Sequence, residues 1–324
     1  MSMALFTLPV AQELSQVENA IARETQSDIP FINTVVQYAI QNGGKRLRPL
    51  LTLLSAKLSG YSGDGAIQLG AALEMIHTAT LLHDDVVDDA QLRRGKSSVK
   101  AKWGNQVGVL LGDFFWSKAS ELIVRQGNLR VLEVITRTIR MTTEAEVLEI
   151  TRHNDFNMEE EIYLKIIQGK TALLLSACCQ IGAVFGNVSE PFEDSMRRFG
   201  MDMGIAFQLT DDRLDYESQS NKFGKERGGD LKEGKLTLPL LVALHKANDS
   251  EQQIIRSTLL SERLEETQLQ QVLEIIRKYG GLEHTRNRAT EYARRAKENL
   301  SAFKPSIEKE ALVSLADYAV ERDE

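Results

Sequence analysis

Two aspartate runs with the same internal spacing constrain this chain more than any other feature. Asp84-Asp85-Val86-Val87-Asp88 and Asp211-Asp212-Arg213-Leu214-Asp215 each follow a stretch whose apolar residues recur at helical spacing. From Ile67 to Leu82 apolar positions fall on nearly every side of a helical wheel, as in a helix surrounded by protein. Met196, Phe199, Met203, Phe207, Thr210 and Leu214 keep one face, with Gln208, Asp211, Asp212 and Asp215 on another. Carboxylates closing buried helices are costly unless something cationic sits there. In a helix, Asp84 and Asp88 share a side with a rise of about 6 Å and can converge on a divalent cation. All-oxygen ligation suits Mg2+, which takes one or two protein carboxylates and fills its shell with water and phosphate oxygens. One such run is more often a solvated acidic helix end. Two, facing across a cleft, would repel each other unless cations and a cation-bound diphosphate came between them.

Basic residues stand where such an anion needs direct contacts. Gly43-Gly44-Lys45-Arg46-Leu47-Arg48-Pro49 combines glycines that permit close backbone approach with a proline suited to the first turn of a helix, whose free N–H groups favour phosphate. Arg93-Arg94-Gly95 follows shortly after Asp88, and arginine offers planar donor pairs to phosphate oxygens. His77 lies close to two helical turns before Asp84 and shares its face; alone it reads as a satisfied buried histidine, beside the acidic run as a diphosphate donor. Lys170-Thr171, Lys225 and Lys235 are weaker candidates, each on its own most simply a surface lysine.

Six prolines in 324 residues and an excess of good helix formers point to an all-α fold. Glycine-containing breaks at Gly43-Gly44, Gly60 to Gly65, Gly104, Gly127, Gly186 and Gly224 to Gly234 divide the chain into helical lengths, and no linker separates two halves, so residues 1–324 read as one domain. With 42% hydrophobic residues the chain can bury a core without staples. A net charge of −7 gives no support to a nucleic-acid partner. Met1 to Val10 lacks the basic start of a secretory signal, and no apolar run is read as long enough to span a bilayer. The adjacent Cys178 and Cys179 sit in an apolar stretch as small hydrophobes of a reducing, cytoplasmic setting. Ser250 to Glu324 carries no chemical motif and reads as packing.

Taken together, GGKRLRP, EMIHTATLLHDDVVDDAQLRRGKSS, LLGDF, EAEVLEI, GKTALL, FQLTDDRLDY and FGKERGGDLKEGKLTLPLL resemble, in order and spacing over nearly the whole chain, the trans-isoprenyl diphosphate synthases, and within that family most closely its bacterial octaprenyl members. The resemblance implies an isoprenoid-synthase helical bundle around a central cavity. It implies that Asp84, Asp88 and Asp211 bind two to three Mg2+ ions bridging an allylic diphosphate, with Asp85, Asp212 and Asp215 in support. Lys45, Arg48, His77 and Arg94 would hold isopentenyl diphosphate. Arg93, Lys170, Lys225 and Lys235 would contact the allylic diphosphate, and Thr171 and Gln208 would turn oxygen dipoles to the carbocation. Three positions depart from the pattern: Arg213 for an apolar residue, Gly229 for an acidic residue before Asp230, and Ala145 for a glycine.

The expected reaction is head-to-tail condensation of isopentenyl diphosphate onto an allylic primer, farnesyl diphosphate foremost. Relatives with short products carry a bulky aromatic near Ala79 and Thr80, about one turn deeper than Asp84, so by that resemblance the small residues here imply a long product. The resemblance to octaprenyl members implies octaprenyl diphosphate, for a ubiquinone or menaquinone side chain that passes to the membrane. Geranylgeranyl, heptaprenyl and nonaprenyl products are the alternatives. A terpene cyclase would not need Lys45, Arg48 and Arg94, and a non-catalytic helical subunit would not keep both acidic runs. The resemblance also implies a homodimer.

Overall fold

Helices fill the intervals between the glycine breaks. The arrangement comes from a computed structural model, which describes residues 4–41, 44–217, 228–261 and 264–322. Among the described residues the exceptions to helix and loop are two short strands, Leu92–Arg93 and Lys96–Ser97, paired as an antiparallel ribbon. Helix starts are chemically marked. Asn128 accepts from the N–H groups of Arg130 and Val131 at 3.0 and 3.2 Å, and Asn248 forms a reciprocal capping box with Glu251.

Three helices form the centre. The first is Gly65–Val87, buried on most of its circumference as its all-round apolar pattern requires. Its most extensive partner is the Asn105–Arg125 helix. The second is Leu173–Phe185, sandwiched between Leu47–Leu58 and Glu190–Glu217. Glycine sets both approaches: a Cβ on Gly182 would meet the backbone nitrogen of Ala56 at 2.6 Å, and one on Gly200 the carbonyl of Leu175 at 2.6 Å. The third is Glu190–Glu217, which also packs along Gly281–Asn299. One connected apolar core runs from Phe6 to Ala319.

The helical stretch Glu160–Phe185 corrects one expectation. Continuous through a π turn at Gln168–Ala172, it is long and apolar enough by composition to cross a bilayer, but 67% of its apolar window is buried inside the bundle. It is a core helix, and its length was hidden because Lys165, Gln168 and Lys170 interrupt the apolar run.

Candidate active site

The first aspartate run forms the C-terminus of the Gly65–Val87 helix. Asp84 and Asp85 lie in its last turn, and Asp88 caps it, donating its N–H to the Asp84 carbonyl at 2.8 Å. Asp85 is buried, and one of its oxygens accepts from Arg93 Nε at 2.8 Å and Nη2 at 2.5 Å. Burial pushes the Asp85 carboxyl up and Arg93 opposes that. Asp84 is raised to about 6, first by burial and then by the nearby Glu146 carboxylate. Lys235 approaches Asp88 at 3.5 Å, and the buried Lys100 is paired with Asp89.

Beside this run lies a cavity lined by Gly44, Arg46, Glu74, His77, Arg93 and Arg94 among others. Two local conformations build it. Arg94 and Gly95 are the central residues of the ribbon's turn, both with positive φ (52° and 76°), the signature of a tight type I′ hairpin. Arg46, just ahead of the Leu47–Leu58 helix, is also left-handed at φ 48°. Such strain in a non-glycine residue persists only where surrounding structure enforces it, and it clusters at binding sites. A Cβ on Gly44 would come within 2.9 Å of the Arg94 guanidinium, so a larger residue there would shift that group. Arg48 Nε is buried with no hydrogen-bond partner among the described residues. Burial, followed by Arg48 and Arg94, drives the His77 pKa well below 6.5, so its ring is neutral at pH 7. Lys45 lies 5.2 Å above the Tyr318 ring.

The second run closes the Glu190–Glu217 helix. Asp212 is 5% exposed and accepts from both Tyr163 Oη and Gln208 Nε2, the latter at 2.7 Å, while Thr171 Oγ1 donates to Gln208 Oε1 at 2.7 Å. This relay fixes the Gln208 amide and leaves the Thr171 hydroxyl oxygen with lone pairs to spare. Burial pushes Asp212 up. Asp215 accepts the backbone N–H groups of Gly229 and Asp230, both at 3.1 Å. A Cβ on Gly229 would lie 3.2 Å from the Asp215 carboxylate, so the glycine at this unusual position serves that close approach. The other two departures are absorbed as well. Arg213 pairs with Glu217 at 2.9 Å, and Ala145 sits against Gly169, where a second Cβ would be 2.1 Å away.

Lys170 and Thr171 sit on the π turn, where an extra residue per turn redirects side chains; such turns recur at functional sites. Lys170 is held by Glu149 and, at 2.9 Å, by Glu146. A second cavity brings Lys170, Thr171, Gln208, Asp212 and Lys235 together. Because Lys235 also reaches Asp88, this cavity connects the two acidic runs. Lys225 lies outside the described residues. Ala79 is fully buried and Thr80 half-buried, its hydroxyl donating to the His77 carbonyl at 2.9 Å; neither lines the two cavities.

Sequence reasoning did not single out Tyr163, Asp230 or Arg322. Asp230 is half-buried near Asp212, and its carboxyl is pushed well up, by desolvation first. Arg322, at the end of the C-terminal helix, lies 3.6 Å over the Phe207 ring and 2.8 Å from Asp211, so the last helix does more than pack. Asp230 stands inside a quoted motif and could have been flagged; Tyr163 and Arg322 carry no local signal. Among the described residues no three His, Cys, Asp or Glu side chains converge to hold a metal alone. The donor set at Asp84, Asp88 and Asp211 is oxygen throughout, a chemistry that suits a hard divalent cation.

Comparison with known proteins agrees with this picture. A family model described as polyprenyl synthetase matches residues 29–276. An octaprenyl diphosphate synthase of Escherichia coli is 40% identical over 313 residues, covering 97% of each chain. A polyprenyl synthase from Caulobacter crescentus, crystallised with calcium and isoprenyl diphosphate, superposes with a TM-score of 0.95 at 40% identity, covering 100% of this chain and 98% of that one. A decaprenyl diphosphate synthase from Rhodobacter capsulatus superposes at 0.94 with 36% identity, covering 100% of both chains.

Proposed function

This chain belongs to the polyprenyl synthetase family and is a prenyltransferase that makes a polyprenyl diphosphate, and on that premise we propose that it is a magnesium-dependent synthase, folded as one domain, adding isopentenyl diphosphate head-to-tail to farnesyl diphosphate and ending at octaprenyl diphosphate. The observation that carries the reading is the pair of separately built cavities: Arg46 and Arg94 with neutral His77 around one, Lys170 and Lys235 with their carboxylate partners around the other, and the first aspartate run between them. A cyclase has one diphosphate to hold; this site is built for two. The related Caulobacter protein, with isoprenyl diphosphate and calcium bound, supports the same assignment of anion and divalent metal.

In the proposed reaction Lys45, Arg48, His77 and Arg94 hold isopentenyl diphosphate, and neutral His77 serves as a donor rather than a charge. Arg93, oriented by Asp85, joins Lys170, Lys225 and Lys235 on the allylic diphosphate. Lys170 would exchange its Glu146 and Glu149 partners for phosphate oxygens. Mg2+ held by Asp84, Asp88 and Asp211 would supply Lewis-acid stabilisation of the departing diphosphate. The allylic C–O bond breaks with its electron pair leaving on diphosphate, and the positive charge on carbon faces the Thr171 and Gln208 oxygens. The isopentenyl double bond supplies the new C–C bond, and a proton lost from the adjacent carbon passes to the released diphosphate. Asp212 and Asp215 hold the second run in shape.

Product length is proposed to be set at Ala79 and Thr80. Ala79→Tyr should stop elongation after a few units while early condensations stay fast; unchanged long products from the folded variant would place the limit elsewhere. Exposed Leu110, Val124, Leu129 and Val147 on the Asn105–Arg125 and Leu129–Thr151 helices support the proposed homodimer, which light scattering would test. Two buried thiols, Cys178 raised to about 12, support the reading of a reducing, cytoplasmic setting from which the product passes to the membrane. The decisive test is incubation with labelled isopentenyl diphosphate, farnesyl diphosphate and Mg2+. A ladder of polyprenyl diphosphates supports the synthase, a hydrocarbon a cyclase, and no product a non-catalytic subunit.

A further inference from the structure

Two carboxylates line the first cavity; Asp85 is taken up by Arg93, and the other stands beside Arg46. Glu74, one turn ahead of His77 on the central helix, is 5% exposed. Its Oε1 accepts from Arg46 Nη1 at 3.0 Å, and its Oε2 is buried with no hydrogen-bond partner among the described residues. Arg46 is also gripped from outside by the half-exposed Glu18, Nη2 to Oε2 at 3.1 Å. Burial lowers the pKa values of Arg48 and Arg94, and Glu74 is the largest influence opposing it for both. A buried carboxylate with an unsatisfied oxygen is costly, and a pocket meant for an anion gains nothing in affinity from an acid in its wall.

The chemistry supplies a reason. In head-to-tail addition the diphosphate of isopentenyl diphosphate becomes the diphosphate of the lengthened allylic chain. After each round that group sits in the arginine cavity and must pass to the acidic side before the next. A cavity of arginines alone would retain it. We propose that Glu74 is the resident counter-anion of this cavity. It holds Arg46, Arg48 and Arg94 in place while the cavity is empty, and it weakens their grip on diphosphate enough for the lengthened chain to move on. Glu74 touches no reacting atom; it is a positioning residue acting through the arginines. The inference rests on assigning this cavity to isopentenyl diphosphate.

The test uses the full chain carrying Glu74→Gln. In EDTA, where no metal draws anions to the aspartate runs, calorimetric titration with inorganic diphosphate should show binding about fivefold to tenfold tighter than wild type, because a like charge has left the wall. The Michaelis constant for isopentenyl diphosphate should fall by a similar factor, and that for the allylic primer should stay put. In rapid quench the first condensation should proceed within about twofold of wild type, while later ones slow and short intermediates accumulate. Diphosphate binding no tighter than wild type, or all condensations slowed equally, overturns the proposal. Should the single variant not fold, Arg46→Gln offers a second route. It leaves the carboxylate uncompensated and should weaken diphosphate binding; adding Glu74→Gln should restore it, and absence of recovery overturns the proposal. Arg94→Ala, run alongside, tests the cavity's assignment separately: an Arg94→Ala that raises the Michaelis constant for isopentenyl diphosphate beside a Glu74→Gln that binds no tighter refutes this inference alone.

Discussion

The two aspartate runs have the same spacing and opposite surroundings. Both sit toward a helix C-terminus, where the helix dipole disfavours negative charge, but the first is answered by cations: Arg93 on Asp85, Lys235 near Asp88 and Lys100 on the adjoining Asp89. Among the described residues the second meets several neutral donors. Tyr163 and Gln208 bond Asp212, backbone N–H groups bond Asp215, and the cation Arg322 meets Asp211. Charges matched by cations can be redistributed when another cation or an anion arrives. Carboxylates matched by hydrogen bonds to rigid neighbours are fixed in direction. Spacing alone therefore does not assign a role; the first run reads as the adaptable half of the site and the second as the preorganised half.

The largest expected effects separate ligand from scaffold. Asp84→Ala and Asp211→Ala should each lower turnover by orders of magnitude with circular dichroism unchanged, since each removes charge needed chiefly against a departing anion. Asp212→Ala should lose turnover and stability together, because it strands the Tyr163 hydroxyl and the Gln208 amide, at about 1–3 kcal/mol for each buried group left unpaired. Denaturant titration of the three variants checks this. Equal loss of stability in all three would erase the distinction between the runs, and near-normal turnover in Asp84→Ala or Asp211→Ala at saturating Mg2+ would break the metal assignment.

A second contrast lies within the ribbon turn. Arg94→Ala should raise the Michaelis constant for isopentenyl diphosphate, and Arg93→Ala that for the allylic primer, each about tenfold to a hundredfold for a lost charge-assisted bond. Arg93→Ala should also destabilise the fold, because it leaves the buried Asp85 without its cation. Both arginines line the first cavity, so variants that weaken the same substrate would give that whole wall to one diphosphate.

Much of this was legible in the chain. The central helix declared itself because it is apolar all round and ends in acid, and the second acidic helix by its single apolar face. The basic loop at Lys45 to Pro49 and the Arg93-Arg94-Gly95 turn were visible as chemistry. Their left-handed arginines were not: the strands flanking Arg94 are two residues each, too short for any alternation to show. The π turn under Lys170 was invisible because one turn at a different hydrogen-bond register leaves no periodicity to read. Arg322 was invisible for another reason. It bonds to Phe207, 115 residues away in sequence, and only the packing of the last helix brings them together.

The buried acids also make stability depend on pH. The Asp84 carboxyl is raised from 3.8 to about 6, so the folded chain holds this proton more tightly than the unfolded one. Its contribution is then fully present below about pH 4 and is lost as pH rises through about 6, a swing of up to about 3 kcal/mol. Melting in EDTA between pH 4 and 7.5 should show a decline in wild type that is flatter in Asp84→Asn. Parallel slopes would mean that Asp84 is better solvated than its burial implies, and the adaptable run would lose its electrostatic cost.

The smallest expected effect concerns the cation on the preorganised run. Arg322 Nη2 lies 2.8 Å from Asp211 and donates to the Phe207 carbonyl at 2.7 Å, while the guanidinium lies over the Phe207 ring. Its side chain is 4% exposed and its Nε is buried with no partner among the described residues, so the group is held by its surroundings rather than by water. A metal ion arriving at Asp211 must share that carboxylate with Arg322 or displace it. Arg322→Gln keeps a donor for the Phe207 carbonyl and removes the competing charge. The Mg2+ concentration for half-maximal activity should therefore fall, by up to about fivefold given the modest worth of a pair whose acid is partly solvated, while the metal-free protein melts lower. Calorimetric titration with Mg2+ should show the same direction without reference to turnover. If the Mg2+ requirement rises instead, Arg322 works alongside the metal rather than in its place, and the second run would depend on a cation as the first one does.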